Sequence, residues 1–97
     1  MISVHSTFIC KPGNAGKLAK LFKEWADIKK EMNMSVLTDM TGQFHRVIIT
    51  ENHASLTAYE DAQKDMGQSP EEKAMMEKFK DMNEMYVSGS REIFKVW

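Results

Sequence analysis

Two segments with apolar side chains at every third or fourth residue alternate with four short segments of strand character in this 97-residue chain. The first spacing predicts helices that pack by one face, and alternation or β-branched content predicts strands. The predicted strands are Ile2–Cys10, Met34–Thr41, Phe44–Glu51 and Arg91–Trp97. The resulting order, β-α-β-β-α-β, predicts one α+β domain that spans residues 1–97.

The helix boundaries follow from caps and breakers. Asn14 is a suitable N-cap for the first helix, which is expected to end between Glu31 and Asn33. Ser55 is expected to cap a second helical region, and Gly67 to break it. Ser69-Pro70-Glu71-Glu72 combines a cap serine, an early proline and acids near the positive end of the helix dipole, so a new helix is expected there.

Two glycine-containing segments predict where the neighbouring strands begin. Gly42 lies between the second and third predicted strands and predicts a tight antiparallel hairpin. Ser88-Gly89-Ser90 is expected to close the last helix before the final strand.

The element order is that of a ferredoxin-like fold, a four-stranded antiparallel sheet with both helices on one face. That arrangement leaves the other sheet face uncovered. The third strand is apolar on both sides, with Val47 and Ile49 on one and Phe44 and Ile48 on the other. A strand of this kind needs cover on both faces, so a second copy of the chain is expected to pack there as a homodimer.

Composition excludes several classes of function. A net charge of −1 and interleaved acids and lysines give no basic surface for nucleic acid. No apolar run reaches the ~18 residues that a membrane span needs, and the first ten residues lack the pattern of a signal peptide. Cys10 is the only cysteine, so a reducing, cytoplasmic location is expected.

Three residues are candidates for catalysis. His53 is placed at the turn from strand to helix, which is expected to border a pocket, and His5 lies on the mixed face of the first strand. Arg46 falls among apolar side chains, where a guanidinium can hold a carboxylate through two hydrogen bonds. Each also has a structural interpretation: His5 as a hydrogen-bonded interface histidine, Arg46 as the partner of an acid such as Asp39, and His53 as part of a cap at the helix entry.

A pocket for a small apolar molecule is expected between sheet and helices. Methionine adapts to flat ligands, and five of the nine methionines fall in or near the second helical region. The expected ligand contacts are Ser6, Phe22, Trp25, Tyr59, Met75, Phe79 and Met82. No metal site is expected, because no pair among the three histidines has a ligand spacing, and no cofactor motif is present.

Three passages resemble the dimeric α/β-barrel superfamily, in its branches of antibiotic biosynthesis monooxygenases and NIPSNAP proteins. The opening strand ends in a Lys-Pro-Gly turn, the third strand leads into Ser55-Leu56 and Tyr59-Glu60, and the last strand is similar. The resemblance implies a homodimer whose two sheets form a barrel. Its haem-degrading members use an Asn near the place of Ser6 and a Trp near the second helix, which this chain lacks, so haem degradation is not implied.

The resemblance leaves function open, because this fold serves many reactions. The first interpretation is a homodimer that binds a small hydrophobic or aromatic molecule. The second is a cofactor-independent monooxygenase or isomerase acting on a small aromatic or quinol-like compound, with His53, His5 or Arg46 as base or anion holder. The third is a structural or interaction module with a filled core.

Overall fold

The computed structural model describes all residues, 1–97, and contains one four-stranded antiparallel sheet. The strands are β1 (Ile2–Cys10), β2 (Ser35–Thr38), β3 (Arg46–His53) and β4 (Tyr86–Lys95). The helices are α1 (Ala15–Ile28), α2 (Leu56–Lys64) and α3 (Pro70–Lys78), with 3-10 segments at Lys30–Met32 and Phe79–Glu84. The strand order is β2-β3-β1-β4. The predicted α+β ferredoxin-like fold is confirmed.

The two sheet faces have different surroundings, and strand register assigns residues to each. The face that packs against the helices is termed the covered face, and its residues are Val4, Ser6, Phe8, Cys10, Val47, Ile49, Glu51, His53 and Arg91. The opposite side is termed the open face, and its residues are Ser3, His5, Thr7, Ile9, Leu37, Arg46, Ile48, Thr50, Glu92 and Phe94. The alternation predicted for β1 is therefore confirmed, and His5 lies on the open face.

Helix α1 closes the centre of the covered face. Leu18 is fully buried against Cys10, Val47 and Ile49. Burial also raises the pKa of the Cys10 thiol, so this cysteine stays protonated and unreactive at neutral pH. An aromatic row continues outward from this core, since the Phe22 ring lies 5.4 Å from Phe8 and 5.3 Å from Phe79. The apolar side chains of α1 thus pack against the sheet at one end of the helix and against aromatic rings at the other.

Serine caps start the two short helices as the sequence predicts. The Ala58 N–H donates to Ser55 Oγ at 3.1 Å, and Ser69 and Glu72 form a reciprocal capping box. Contact with the Ser69 side chain and with Lys29 Nζ, 3.1 Å away, holds the pKa of the Glu72 carboxyl below its usual value. Asn14 occupies the N-cap position of α1 but makes no side-chain hydrogen bond to the helix. The predicted N-cap position is therefore confirmed, and the backbone carbonyl of Asn14 accepts a hydrogen bond from the Leu18 N–H at 3.0 Å.

The β2–β3 connection is longer than the predicted tight hairpin. The two strands do pair, with Thr38 opposite Val47, but residues 39–45 form a loop between them. The Arg46 N–H donates to Asp39 Oδ1 at 2.8 Å, which closes the base of this loop. Gly42, at φ +90°, and His45, at φ +62°, both adopt the left-handed conformation inside it. The loop therefore turns through two such residues.

The final strand begins earlier than its sequence suggests. Helix α3 ends at Lys78, and β4 runs from Tyr86, so Gly89 lies within the strand rather than in a turn. A Cβ on Gly89 would lie 3.5 Å from the Phe8 ring on the neighbouring strand. That distance is an ordinary van der Waals contact, so the structure does not require a glycine at this position.

None of the helices has the length and the apolar character that crossing a bilayer requires.

Candidate functional site

A cleft with two chambers lies between the covered face and the helical layer. The inner chamber has a volume of about 130 Å³ and the outer one about 240 Å³. Both are lined by the same four side chains, Phe22, Trp25, Met66 and Met82. The outer chamber is completed by Met76 and Phe79 and is entirely apolar. The two chambers are therefore neighbours that share these four side chains, and together they form the candidate site.

The inner chamber is apolar along its sides and polar at the sheet. Its remaining apolar walls are Phe8, Met32, Met34 and Ile49. Its polar residues are Ser6, Glu51, Gln63 and Arg91. Mostly hydrophobic walls with a few placed polar groups are typical of sites for small molecules.

Register brings Ser6 and Arg91 together although 85 positions separate them in sequence. They lie opposite each other on β1 and β4, and Arg91 Nε donates to Ser6 Oγ at 3.1 Å. None of the six ion pairs in the structure includes Arg91. Arg91 also borders a hollow of about 330 Å³ at the sheet edge, with Tyr86, Gly89 and Ser90. Its guanidinium thus stands between the inner chamber and solvent.

Glu51 and His53 form a buried pair next to the same chamber. They are two residues apart on β3, so both side chains lie on the covered face. His53 Nε2 and Glu51 Oε1 are 2.7 Å apart, a distance typical of an imidazole N–H donating to a carboxylate. Only 6% of Glu51 and 8% of His53 is exposed. Burying a carboxylate without a hydrogen-bond partner destabilises the folded state. The hydrogen bond from His53 therefore reduces the free-energy cost of burying Glu51.

Tyr59 of α2 lies behind this pair, with its ring 5.2 Å from that of His53. Burial raises the pKa of the Tyr59 hydroxyl, the positive charge of Arg91 lowers it, and the negative charge of Glu51 raises it. Tyr59 therefore experiences the charges of both charged chamber residues, Arg91 and Glu51, although it does not line the chamber.

Most of the residues predicted for ligand contact meet in the cleft. Ser6, Phe22, Trp25 and Met82 line the inner chamber, and Phe79 lines the outer one. Tyr59 and His53 support Glu51 from behind. Met75 is buried but lies outside both chambers, where Met66 provides a methionine wall instead.

Two predicted catalytic residues lie across the sheet from the cleft. His5 is on the open face, where its Nε2 is 3.0 Å from Ser3 Oγ and its ring contacts Phe94 at 4.9 Å. Arg46 is on the same face, and its buried Nε has no hydrogen-bond partner. The structure therefore does not bring His5 or Arg46 together with His53. Any role for them belongs to a surface distinct from the cleft.

Glu51 and Arg91 were not among the residues expected from the sequence to act in catalysis or to contact a ligand. Glu51 could have been found, because the period of two that joins Val47 and Ile49 continues to Glu51 and His53. Arg91 carried no such signal, since its place beside Ser6 depends on which strand β4 pairs with.

No group of three histidine, cysteine, aspartate or glutamate side chains is arranged to hold a metal ion.

Comparison with known proteins identifies the fold. No protein-family model matches the sequence, and no curated protein matches it significantly. Solved structures do match over nearly the whole chain. A NIPSNAP domain protein from Burkholderia xenovorans has a TM-score of 0.78 at 10% identity and covers 100% of this chain and 95% of its own.

Two further structures extend the comparison to both branches. A NIPSNAP family protein from Agrobacterium tumefaciens has a TM-score of 0.77 at 16% identity, over 98% of this chain and 85% of that one. A putative antibiotic biosynthesis monooxygenase from Deinococcus radiodurans has a TM-score of 0.69 at 18% identity, over 100% and 93%. The chain therefore has the ferredoxin-like fold that NIPSNAP proteins and antibiotic biosynthesis monooxygenases share.

Proposed function

We propose that the cleft binds a small hydrophobic or aromatic molecule. The observation that carries the proposal is the two-chamber space, apolar along Phe22, Trp25, Met66 and Met82 and polar at one end. A filled structural core, the third interpretation from the sequence, is less well supported because this space is open. Apolar walls provide affinity, and the polar end provides orientation.

The volumes limit the size of the ligand. A cavity of about 150 Å³ in another protein accommodates benzene, so the inner chamber of about 130 Å³ has room for about one ring. A two-ring compound must extend past Phe22 and Met82 into the outer chamber. Naphthalene derivatives are therefore suitable probes.

Trp25 provides a direct assay, because it is buried in the cleft while Trp97, the only other tryptophan, is fully exposed. In a Trp97→Phe protein, naphthalene is expected to change the Trp25 fluorescence in a saturable way. Met66→Lys places a charge on the wall shared by both chambers, and should weaken binding by about tenfold or more.

Met40→Lys is the matched control, because Met40 is 97% exposed in the β2–β3 loop. It should leave naphthalene affinity unchanged. Absence of a saturable Trp25 response, or equal weakening by both lysine variants, would rule out the cleft as the binding site.

A homodimer is proposed as the assembly that presents this site. The support is the open face, where Ile9, Ile48 and Phe94 form an apolar surface without cover in the single chain. Burying such a surface stabilises an association, and a small domain benefits most from it. The resemblance in sequence to dimeric α/β-barrel proteins points the same way.

Native mass spectrometry tests this assembly and reports any retained ligand in the same spectrum. Phe94→Glu puts a charge on the proposed interface and should convert dimer to monomer. Thr57→Glu, on the exposed surface of α2, should not. A wild-type monomer at micromolar concentration would contradict the homodimer.

A second candidate function, proton abstraction from the bound molecule, is favoured by the buried Glu51–His53 pair. A carboxylate beside an apolar chamber can act as a base, and His53 can hold it in position. Isomerisation, or oxygenation of the resulting anion by dissolved O₂ without a cofactor, would each begin with this step.

Deuterium exchange isolates the step from whatever follows it. The test compound is 2-tetralone, a two-ring ketone. The hydrogens on the carbon next to its carbonyl should exchange with deuterium from D₂O faster in the presence of the protein. An oxygen electrode measures O₂ consumption in the same sample. Glu51→Gln should abolish the acceleration, and His53→Ala should reduce it. His5→Ala, across the sheet, should not change it, and an equal loss in this variant would contradict the assignment.

A further inference from the structure

Methionine side chains form much of the wall of the cleft. The inner chamber is lined by Met32, Met34, Met66 and Met82, and the outer chamber by Met66, Met76 and Met82. A thioether is apolar, but peroxides convert it into a sulfoxide, which is polar. The walls that favour an apolar ligand are therefore also the part of the cleft that oxidation can change.

Exposure separates Met76 from the other methionines of the cleft. Met76 is 47% exposed, whereas the other four are partly or fully buried. Outside the cleft, Met40 and Met1 are also exposed, but neither lines a chamber. Met76 is therefore the one methionine that both a soluble oxidant and a bound ligand can contact.

The position of Met76 on α3 explains this double access. Met75, the preceding residue, is buried and lies outside both chambers. Phe79 follows Met76 by three residues, so the two side chains lie on the same side of the chain, and both line the outer chamber. Met76 also reaches the turn before α3, where its Cγ lies 4.0 Å from the place of a Cβ on Gly67. Met76 thus lies where the apolar chamber meets solvent.

We propose that Met76 is an oxidation site through which peroxide controls ligand binding in the cleft. The Met76 sulfur attacks one oxygen of hydrogen peroxide, the O–O bond breaks, and the products are methionine sulfoxide and water. The outer chamber is otherwise entirely apolar, so an apolar ligand would cover the new S=O group without a hydrogen-bond partner, and its affinity falls. Sulfoxide reductases reverse the change. This inference rests on the proposed binding function and adds its regulation.

Mass spectrometry of the peroxide-treated protein tests the site. Met75 and Met76 fall in one tryptic peptide, residues 74–78, because trypsin cuts after the lysines on either side. Fragment ions of this peptide should show sulfoxide at Met76 well before Met75, since only Met76 is exposed. Met40, which is 97% exposed, provides the reference rate for an accessible methionine. Equal rates at Met75 and Met76 would overturn the assignment.

The affinity for naphthalene before and after treatment tests the control of binding. In the Trp97→Phe protein, read through Trp25, oxidation should weaken binding by about tenfold, and sulfoxide reductases should restore it. Met76→Leu keeps an apolar side chain of similar size but has no sulfur, so peroxide should not change the affinity of this variant. Met40→Leu is the matched control, and peroxide should weaken its binding as much as that of the parent protein.

The outcomes separate this inference from the binding function. Oxidation of Met76 without loss of affinity, or an equal loss in the Met76→Leu variant, would overturn the inference while binding itself stands. If the untreated protein does not bind naphthalene, the proposed binding function fails, and this inference fails with it.

Discussion

The two faces of the sheet have similar mixtures of polar and apolar residues, but their polar groups differ in burial and in hydrogen bonding. On the covered face, Ser6, Glu51 and His53 are buried; Glu51 is bonded to His53, and Ser6 accepts a hydrogen bond from the exposed Arg91. On the open face, His5 and Arg46 are less deeply buried, although Arg46 Nε has no partner within the chain.

This difference shows where polar residues carry information about function. Polar groups cost little where water or a partner chain can reach them, and much more beneath a helical layer. Glu51 and His53 occupy positions that Val47 and Ile49 show to be suited to apolar side chains. Burying polar side chains at such positions lowers the stability of the fold, so Glu51 and His53 are better functional candidates than His5. A histidine such as His5 is tolerated on the surface of any sheet.

The largest expected difference in stability between the two faces is that between alanine variants of Ile48 and Ile49. These adjacent residues are of the same type but lie on opposite faces. Ile49→Ala leaves a cavity in the core beneath α1 and should lower the free energy of unfolding by about 2–5 kcal/mol. Ile48→Ala should cost about 1 kcal/mol or less in a monomer. Urea denaturation at two protein concentrations measures both.

Concentration then reports on the proposed dimer. If the open face is buried between two chains, the cost of Ile48→Ala will rise at high protein concentration, whereas that of Ile49→Ala will not. Equal costs for the two variants at low concentration would contradict the distinction between the faces.

The two histidines give the next largest effect. His53→Ala leaves the buried Glu51 carboxylate without its partner and should destabilise the fold by about 1–3 kcal/mol at neutral pH. His5→Ala, which removes contacts only with Ser3 and Phe94, should cost below about 1 kcal/mol. The double variant Glu51→Gln/His53→Ala should recover part of the loss, because it also removes the isolated charge. No recovery would mean that packing, and not charge, fixes His53 in place.

The smallest effect is a shift in the ionisation of Tyr59. In a Tyr86→Phe protein Tyr59 is the only tyrosine, and its absorbance should titrate above the ordinary pKa of 10.0, because burial disfavours the phenolate. A folded-state pKa above the unfolded value stabilises the fold below about pH 10, and this stabilisation is lost as pH rises through the folded pKa.

Neighbouring charges should shift the same titration in opposite directions. Arg91→Gln should raise the Tyr59 pKa further, and Glu51→Gln should lower it. His5→Ala, on the open face, should not move it. A shift caused by His5→Ala would show that charges on the two faces are not separated as described.

Local patterns predicted most of the fold, because they are set by neighbours in sequence. The period of two assigned Ser6 and His5 to opposite faces. The start of α3 was predicted from the four adjacent residues Ser69-Pro70-Glu71-Glu72, where the structure has a capping box. The errors occurred where a distant contact decided the structure. Gly89 in isolation is typical of a turn, but it lies in a strand because β4 pairs with β1, where Gly89 is opposite Phe8.

The site was less predictable for the same reason. Phe22, Trp25 and Met82 were expected in the pocket because apolar stripes on helices must face the sheet. Arg91 was missed because its role depends on the pairing of β4 with β1, which no local pattern specifies. His5 was chosen for its place on the mixed face of the first strand and Arg46 for its apolar neighbours in sequence, but the sheet places both residues away from the cleft.

The central position of β1 has a consequence for how the protein folds. This strand pairs with β3 on one side and with β4 on the other, so its second edge is completed by a segment more than 80 positions away. Closing so long a loop carries an entropic cost and slows folding compared with local pairing. Because Ser6 meets Arg91 only across this long-range pairing, a partly folded chain with only β1, β3 and α1 in place would have much of the core but no complete polar site. Recovery of binding during refolding should therefore lag behind burial of Trp25.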